Sequence, residues 1–210
     1  MRRFAISAAT LLLLLPPPAS AHAQVTLRLT AGPNIATWVW PARAERHEPW
    51  SWHGPALGVS AGLPVAGNWG IQLGVGLSVK GWSDEGECSN ARGTFACGWG
   101  KWITYFESTV LADRQIRLGD RFRLHLLAGP ALGYQWDEFP QRAARFDFGI
   151  AGGAHVETQL SGRLGLLVGA LYNHGLTNVD SGDVIAEWKD WYRSESRTLT
   201  LRTGLSYTIG

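Results

Sequence analysis

The chain has 210 residues, including 26 glycines and 11 tryptophans, with 45 % hydrophobic residues, 17 % charged ones and a formal net charge of +2. Its length suits one domain of ordinary size. With a mean hydropathy of -0.06, that composition argues against disorder, a coiled coil and a bundle of membrane helices, and the glycines lack the three-residue period of collagen.

Residues 1–23 read as a signal peptide. Arg2 and Arg3 form a basic start, Phe4 to Leu15 is apolar or small, and Ala21-His22-Ala23 offers a small-x-small cleavage pattern. Pro16, Pro17 and Pro18 break the run too early for a membrane-spanning helix. Removing Arg2 and Arg3 brings the 19 basic residues level with the 17 acidic ones. A neutral chain without basic-aromatic interleaving gives no reason to expect nucleic acid as a partner. The domain that remains is 24–210.

Period-two alternation dominates from residue 25 onward, and it predicts eight strands. They span 25–37, 54–63, 69–80, 101–111, 121–135, 145–157, 163–173 and 198–209. The third is the cleanest, with Trp69, Ile71, Leu73, Val75, Leu77 and Val79 on one face and Gly70, Gln72, Gly74, Gly76, Ser78 and Lys80 on the other. In the fifth, Phe122, Leu124, Leu126 and Leu132 oppose Arg121, Arg123, His125 and Gly133. These strands are long for a soluble sheet and right for tilted segments that cross a bilayer.

Long connections are expected at 38–53, 82–100 and 174–197, with a shorter one at 136–144. Short ones are expected at 64–68, 112–120 and 158–162. Ten of the tryptophans, among them Trp38, Trp52, Trp82, Trp102, Trp136 and Trp188, fall at or beyond the strand ends that carry the long connections, and Trp69 alone lies at the other end. Indoles favour a membrane interface, where the ring finds apolar contact and the N–H stays wet. A soluble closed barrel would show the same alternation with the leucines inside. Its polar face would then need the regular Lys and Glu of a solvated sheet, whereas here that face is rich in Gly and Ala. The polar face is therefore assigned to a narrow lumen and the leucine face to lipid: an all-β, eight-stranded antiparallel transmembrane β-barrel, an up-and-down meander.

Three stretches carry a family resemblance: Gly54 to Gly62, Lys101 to Thr109, and Tyr172-Asn173-His174-Gly175-Leu176-Thr177-Asn178-Val179. Through them the chain resembles the eight-stranded outer-membrane β-barrel proteins of the PorT-like, or porin-family, kind over residues 24–210. The resemblance implies the outer membrane of a Gram-negative bacterium and little chemistry. Leu205, Tyr207 and Ile209 are similar to the terminal signal by which such barrels engage the barrel-assembly machinery, although Ile209-Gly210 stands where a terminal Phe is usual.

The lumen face carries Arg28, Lys80, Glu107, Arg121, Arg123, Asp147, Glu157 and Arg202, with His125 and His155 beside them. Charges of mixed sign in so narrow a space should form a hydrogen-bonded network that fills it. Cys88 and Cys97, close together in an exported chain, should form a disulfide. No catalytic, cofactor or metal site is expected. His174, Ser181 and Glu187 bear a slight resemblance to the His–Ser–Glu set of outer-membrane lipid A deacylases, but Ser181 and Glu187 fall in a connection with no register to fix a proton relay. Asp84, Glu85 and Glu87 lack the spacing of a calcium cage. His47, His53 and His174 are too scattered for a metal centre. The expected role is non-enzymatic: a structural or surface-binding barrel with long extracellular loops, whose partners are outer-membrane lipids and an extracellular ligand. A lipid-modifying or lipid-binding barrel enzyme and a narrow channel are the alternatives.

Overall fold

A computed structural model describes residues 24–39, 51–90, 93–136, 146–177 and 195–210; at 38–39, 51–52, 81–90, 93–102 and 195 it describes the backbone alone. The eight strands are β1 (Val25–Val39), β2 (Ser51–Ala66), β3 (Trp69–Asn90), β4 (Gly93–Arg117), β5 (Phe122–Gln135), β6 (Phe146–Gln159), β7 (Leu164–Gly175) and β8 (Glu195–Ile209). Each pairs with its neighbours in sequence, and β8 returns antiparallel to β1, so the sheet closes into a barrel in meander order.

The start of β1, the end of β8 and the three short turns share one end of the barrel, here the turn end. The longer connections leave the other, the loop end. The tightest turn is Gly67-Asn68, where Gly67 has φ 56°, the positive value a two-residue hairpin demands of its first central residue.

Alternation makes the barrel inside-out. Leu29, Leu57, Val59, Leu73, Val75, Leu126, Phe148, Ile150, Val168 and Leu201 are exposed on the outer face, while Arg28, Gln72, Lys80, Asp113, His125 and Asp147 are buried within. A soluble barrel would leave these outer leucines in water, which a lipid annulus avoids. Trp69 is half exposed on the outer face, and the Arg114 guanidinium lies 5.1 Å from its ring centroid. That contact joins an aromatic ring to a cation at the turn-end interface.

Several predicted boundaries move by a few residues, and those of β3 and β4 move furthest. Residues 82–100, expected as a loop, continue β3 and β4 as a paired hairpin up to Asn90 opposite Gly93. β4 also runs on to Arg117 through residues expected to form a turn, because Leu111, Asp113 and Gln115 keep alternating with Ala112, Arg114 and Ile116. The ladder is interrupted where a proline lacks its N–H. The β1–β8 pairs skip Gly32 and Pro33, and the β4–β5 pairs skip Gly129 and Pro130. At both places the glycine faces a neighbouring carbonyl so closely that a Cβ would stand 2.0 Å from Leu201 O or 2.1 Å from Val110 O.

Candidate functional site

The lumen holds two polar clusters, with an apolar cluster between them on the β4–β7 side. At the turn end, Arg28 of β1 reaches across the barrel. Its Nη1 donates to Gln72 Oε1 at 3.4 Å, its Nη2 lies 3.8 Å from Asp113 Oδ2, and its Nε lies 3.5 Å from Glu157 Oε2. His125 sets Nδ1 3.0 Å from each Asp113 oxygen and Nε2 3.6 Å from Glu157 Oε2. Register places His155 opposite His125 on β6, and the two rings stack with centroids 4.4 Å apart.

One step toward the loop end, Leu111, Leu127, Ala131, Ala151 and Leu171 pack together. Beyond them Lys80 Nζ meets Glu107 Oε1 at 2.7 Å and lies 4.6 Å from the Tyr105 ring centroid. Asp147 accepts hydrogen bonds from Thr177 Oγ1 at 3.2 Å and from the Ser196 hydroxyl. Those two residues flank segment 178–194, so one carboxylate ties down both of its roots. Leu176 N donates to Phe148 O at 2.8 Å and Phe148 N to Thr177 Oγ1 at 2.9 Å, which gives the Leu176-Thr177 part of the family-like stretch a structural task. Salt bridges inside so narrow a barrel persist only when the remaining polar atoms also find partners.

The residues expected on the lumen face separate into three groups. Arg28, Lys80, Glu107, His125, Asp147, His155 and Glu157 are brought into the two clusters. Arg202, partly buried, lines a small cavity of about 40 Å³ with Glu107 and Thr109. Arg121 and Arg123 differ from expectation: both are exposed at the turn-end mouth. Arg121 precedes the first residue of β5, and Arg123 lies beyond the layer of His125, where water reaches it. With Glu157 and Arg163 they line a cavity of about 150 Å³.

The sequence reading missed Asp113, the carboxylate shared by Arg28 and His125. It sits in the part of β4 taken for a turn, and the unbroken alternation there was the available signal.

The other motifs remain apart from the clusters. His53 lies exposed on the outer face of β2, and His174 stacks against the outward-facing Tyr172 with centroids 6.4 Å apart. His47, Ser181 and Glu187 lie outside the described residues, as do the side chains of Asp84, Glu85 and Glu87. The expected Cys88–Cys97 disulfide is not among the described contacts, since those two side chains fall outside them. In the backbone register Cys88 faces Phe95 and Cys97 faces Gly86, so the two cysteines are two residues out of direct opposition.

The family model for the outer membrane protein beta-barrel domain matches residues 23–181. Among curated proteins, none matches the chain significantly in sequence. Solved structures share the fold. Neisserial surface protein A aligns with TM-score 0.56 at 11% identity, covering 87% of this chain and 97% of that one. A major outer membrane protein of Thermus thermophilus gives 0.56 at 16% identity, covering 90% and 100%. OprG of Pseudomonas aeruginosa gives 0.54 at 12% identity, covering 89% and 96%.

Proposed function

We propose that this chain, which belongs to the outer membrane protein beta-barrel domain family and is thus a protein of the outer membrane, is a non-enzymatic barrel that presents its long loops to an extracellular ligand. The observation that carries the reading is the lumen. Most of its charges face one another, Arg28 with Asp113 and Glu157, Lys80 with Glu107, and an apolar cluster on β4–β7 packs between the two sets. Such an interior supports the wall and, between the clusters, leaves a cavity of only about 40 Å³ beside Gln72, Thr109 and Arg202, too small for a solute to pass. What distinguishes the protein to its surroundings is then the loop end, where segments 40–50, 137–145 and 178–194 and the 82–100 hairpin emerge. Asp147 holds the roots of one of these segments in place, as a binding surface requires. Lipids surround the outer face, and the barrel-assembly machinery inserts the chain.

The test separates surface binding from catalysis and conduction. Cells displaying the protein are compared with cells displaying a variant in which 40–50 and 178–194 are shortened to tight turns, for adhesion to immobilised matrix proteins and glycans. Loss of adhesion in the variant, with unchanged barrel assembly, is the expected result. The purified protein should neither release fatty acids from labelled phospholipid or lipid A nor conduct in planar bilayers. Fatty-acid release that disappears in His174→Ala would replace this reading with the lipid-modifying one.

A further inference from the structure

The turn-end cluster contains more ligating atoms than its hydrogen bonds use. His125 and His155 face each other across the β5–β6 ladder, and Glu157 follows two residues along on the same lumen face. One ligand atom from each of the three lies within 4.8 Å of the others. All three side chains are buried, to 1%, 7% and 9% of their free exposure.

The hydrogen bonds around them leave an imbalance. His125 directs Nδ1 at both Asp113 oxygens, so Nδ1 is the donor there, and the neutral ring carries its lone pair on Nε2. Nε2 lies 3.6 Å from Glu157 Oε2, too far for a hydrogen bond, and neither atom has a hydrogen-bond partner. His155 Nε2, buried beside them, has none either. Asp113 and Glu157 bring two negative charges, and Arg28 is the guanidinium that meets both. Glu157 also stands opposite Arg123 and shares the turn-end cavity with Arg121 and Arg163, so what the cluster lacks is a partner for its inward ligand atoms, not a positive charge nearby.

We propose that His125, His155 and Glu157 bind one divalent first-row transition metal ion of the zinc type inside the lumen, with Asp113 orienting His125 from behind. Two imidazoles and a carboxylate are a recurrent donor set for such ions. A carboxylate on the far nitrogen of a ligating histidine is the usual support, because it fixes the tautomer and raises the basicity of the ring. Bond lengths of about 2.0–2.2 Å require the three groups to draw together, with His155 tilting out of its stack. Arg28 then keeps Asp113 and Gln72 as its partners. The ion would cross-link β5 to β6, the hairpin that carries all three ligands. Glu157 also borders the turn-end cavity, but Arg121, Arg123 and Arg163 line that mouth and oppose cation entry into a finished barrel. The ion is therefore captured as the hairpin forms.

The protein is refolded from denaturant into detergent micelles with excess Co²⁺, passed over chelating resin, and its metal counted. The expected result is one Co²⁺ per folded barrel with visible d–d absorption, and X-ray absorption of the wild-type protein should show two imidazole ligands. His125→Asn, His155→Asn and Glu157→Gln, checked for folding by heat-modifiable gel mobility, should each abolish retention. Asp113→Asn should weaken affinity by about 10- to 100-fold. The double change His53→Asn/His174→Asn should alter nothing. A folded wild-type barrel that retains no cobalt, a spectrum without imidazole ligands, or equal retention by the three ligand variants overturns the proposal. The first of these results would assign the cluster instead to a His125 imidazolium bridging Asp113 and Glu157.

Discussion

At the scale of single residues, the lumen is governed by the cost of charge without solvent. Lys80 is 1% exposed and its partner Glu107 20%, with 2.7 Å between them. Removing one member leaves the other charged and poorly hydrated, which costs far more than the pair itself contributes. Lys80→Met is expected to destabilise the barrel by about 3 kcal/mol in urea-unfolding experiments in micelles. The double change Lys80→Met/Glu107→Gln should recover most of that loss. If the double variant is as unstable as the sum of the two single ones, the two residues act independently and the pair carries no such cost. Lys80 and Glu107 were both legible in the sequence as lumen residues, because strand alternation fixes their face. Their pairing was not legible. Lys80 stands opposite Ile103, and Glu107 lies four residues further along β4, a diagonal reach that depends on the side-chain conformations within the closed barrel.

At the scale of the strand, one face meets lipid and one ladder must bend around proline. Leu73 sits in the middle of the outer face of β3 and is exposed there. Leu73→Arg should cost about 2–4 kcal/mol if that position lies near the bilayer midplane, whereas Leu73→Phe should be mild. Heat-modifiable mobility and urea midpoints check it, and equal small effects would mean that this face does not meet lipid. At Gly129 the obstacle to a side chain is the backbone carbonyl of Val110, which cannot rotate away. Gly129→Ala should therefore destabilise by about 1–3 kcal/mol, as overpacking does, while Gly152→Ala should be tolerated, since a Cβ there has only Leu127 O for a neighbour, at 3.7 Å. Comparable unfolding midpoints for the two variants would count against the close approach. The extended β3–β4 hairpin carries the two cysteines. A disulfide between Cys88 and Cys97 remains our expectation for an oxidising compartment, and it should form without being needed for barrel folding. Alkylation with and without reductant decides it: two thiols that react freely in oxidised envelope preparations would rule the bond out.

At the scale of the whole molecule, closure sets orientation. Val25 pairs with Ile209, so an even number of strands returns the chain to the end from which it started. In outer-membrane barrels the short turns lie in the periplasm and the longer loops outside. Cysteines introduced one at a time at Asn68 and Gly162 should resist an impermeant maleimide in intact cells, and cysteines at residues 44 and 185 should react. The reverse pattern would invert the assignment.

The sequence alone determined the strand number, the inside-out polarity, the meander order and most of the lumen residues. Strand number and the division into two faces follow from the two-residue period of a strand, which needs no knowledge of neighbours. The polarity came from the Gly- and Ala-rich polar face, and the order from the connections and the family resemblance. Strand ends were harder to place. The 82–100 segment has turn-like composition but is held as hairpin by its ladder, and β4 outran its expected end because pairing with β5 continues to Arg117. Only the tertiary structure decided which lumen groups meet. Alternation says that His125 and His155 point inward, but it is the register of β5 on β6 that sets them ring to ring, and β4 that delivers Asp113 behind them. Register and closure relate residues far apart in the chain, and the energy that fixes them is summed over the whole wall, so no local stretch of sequence contains it.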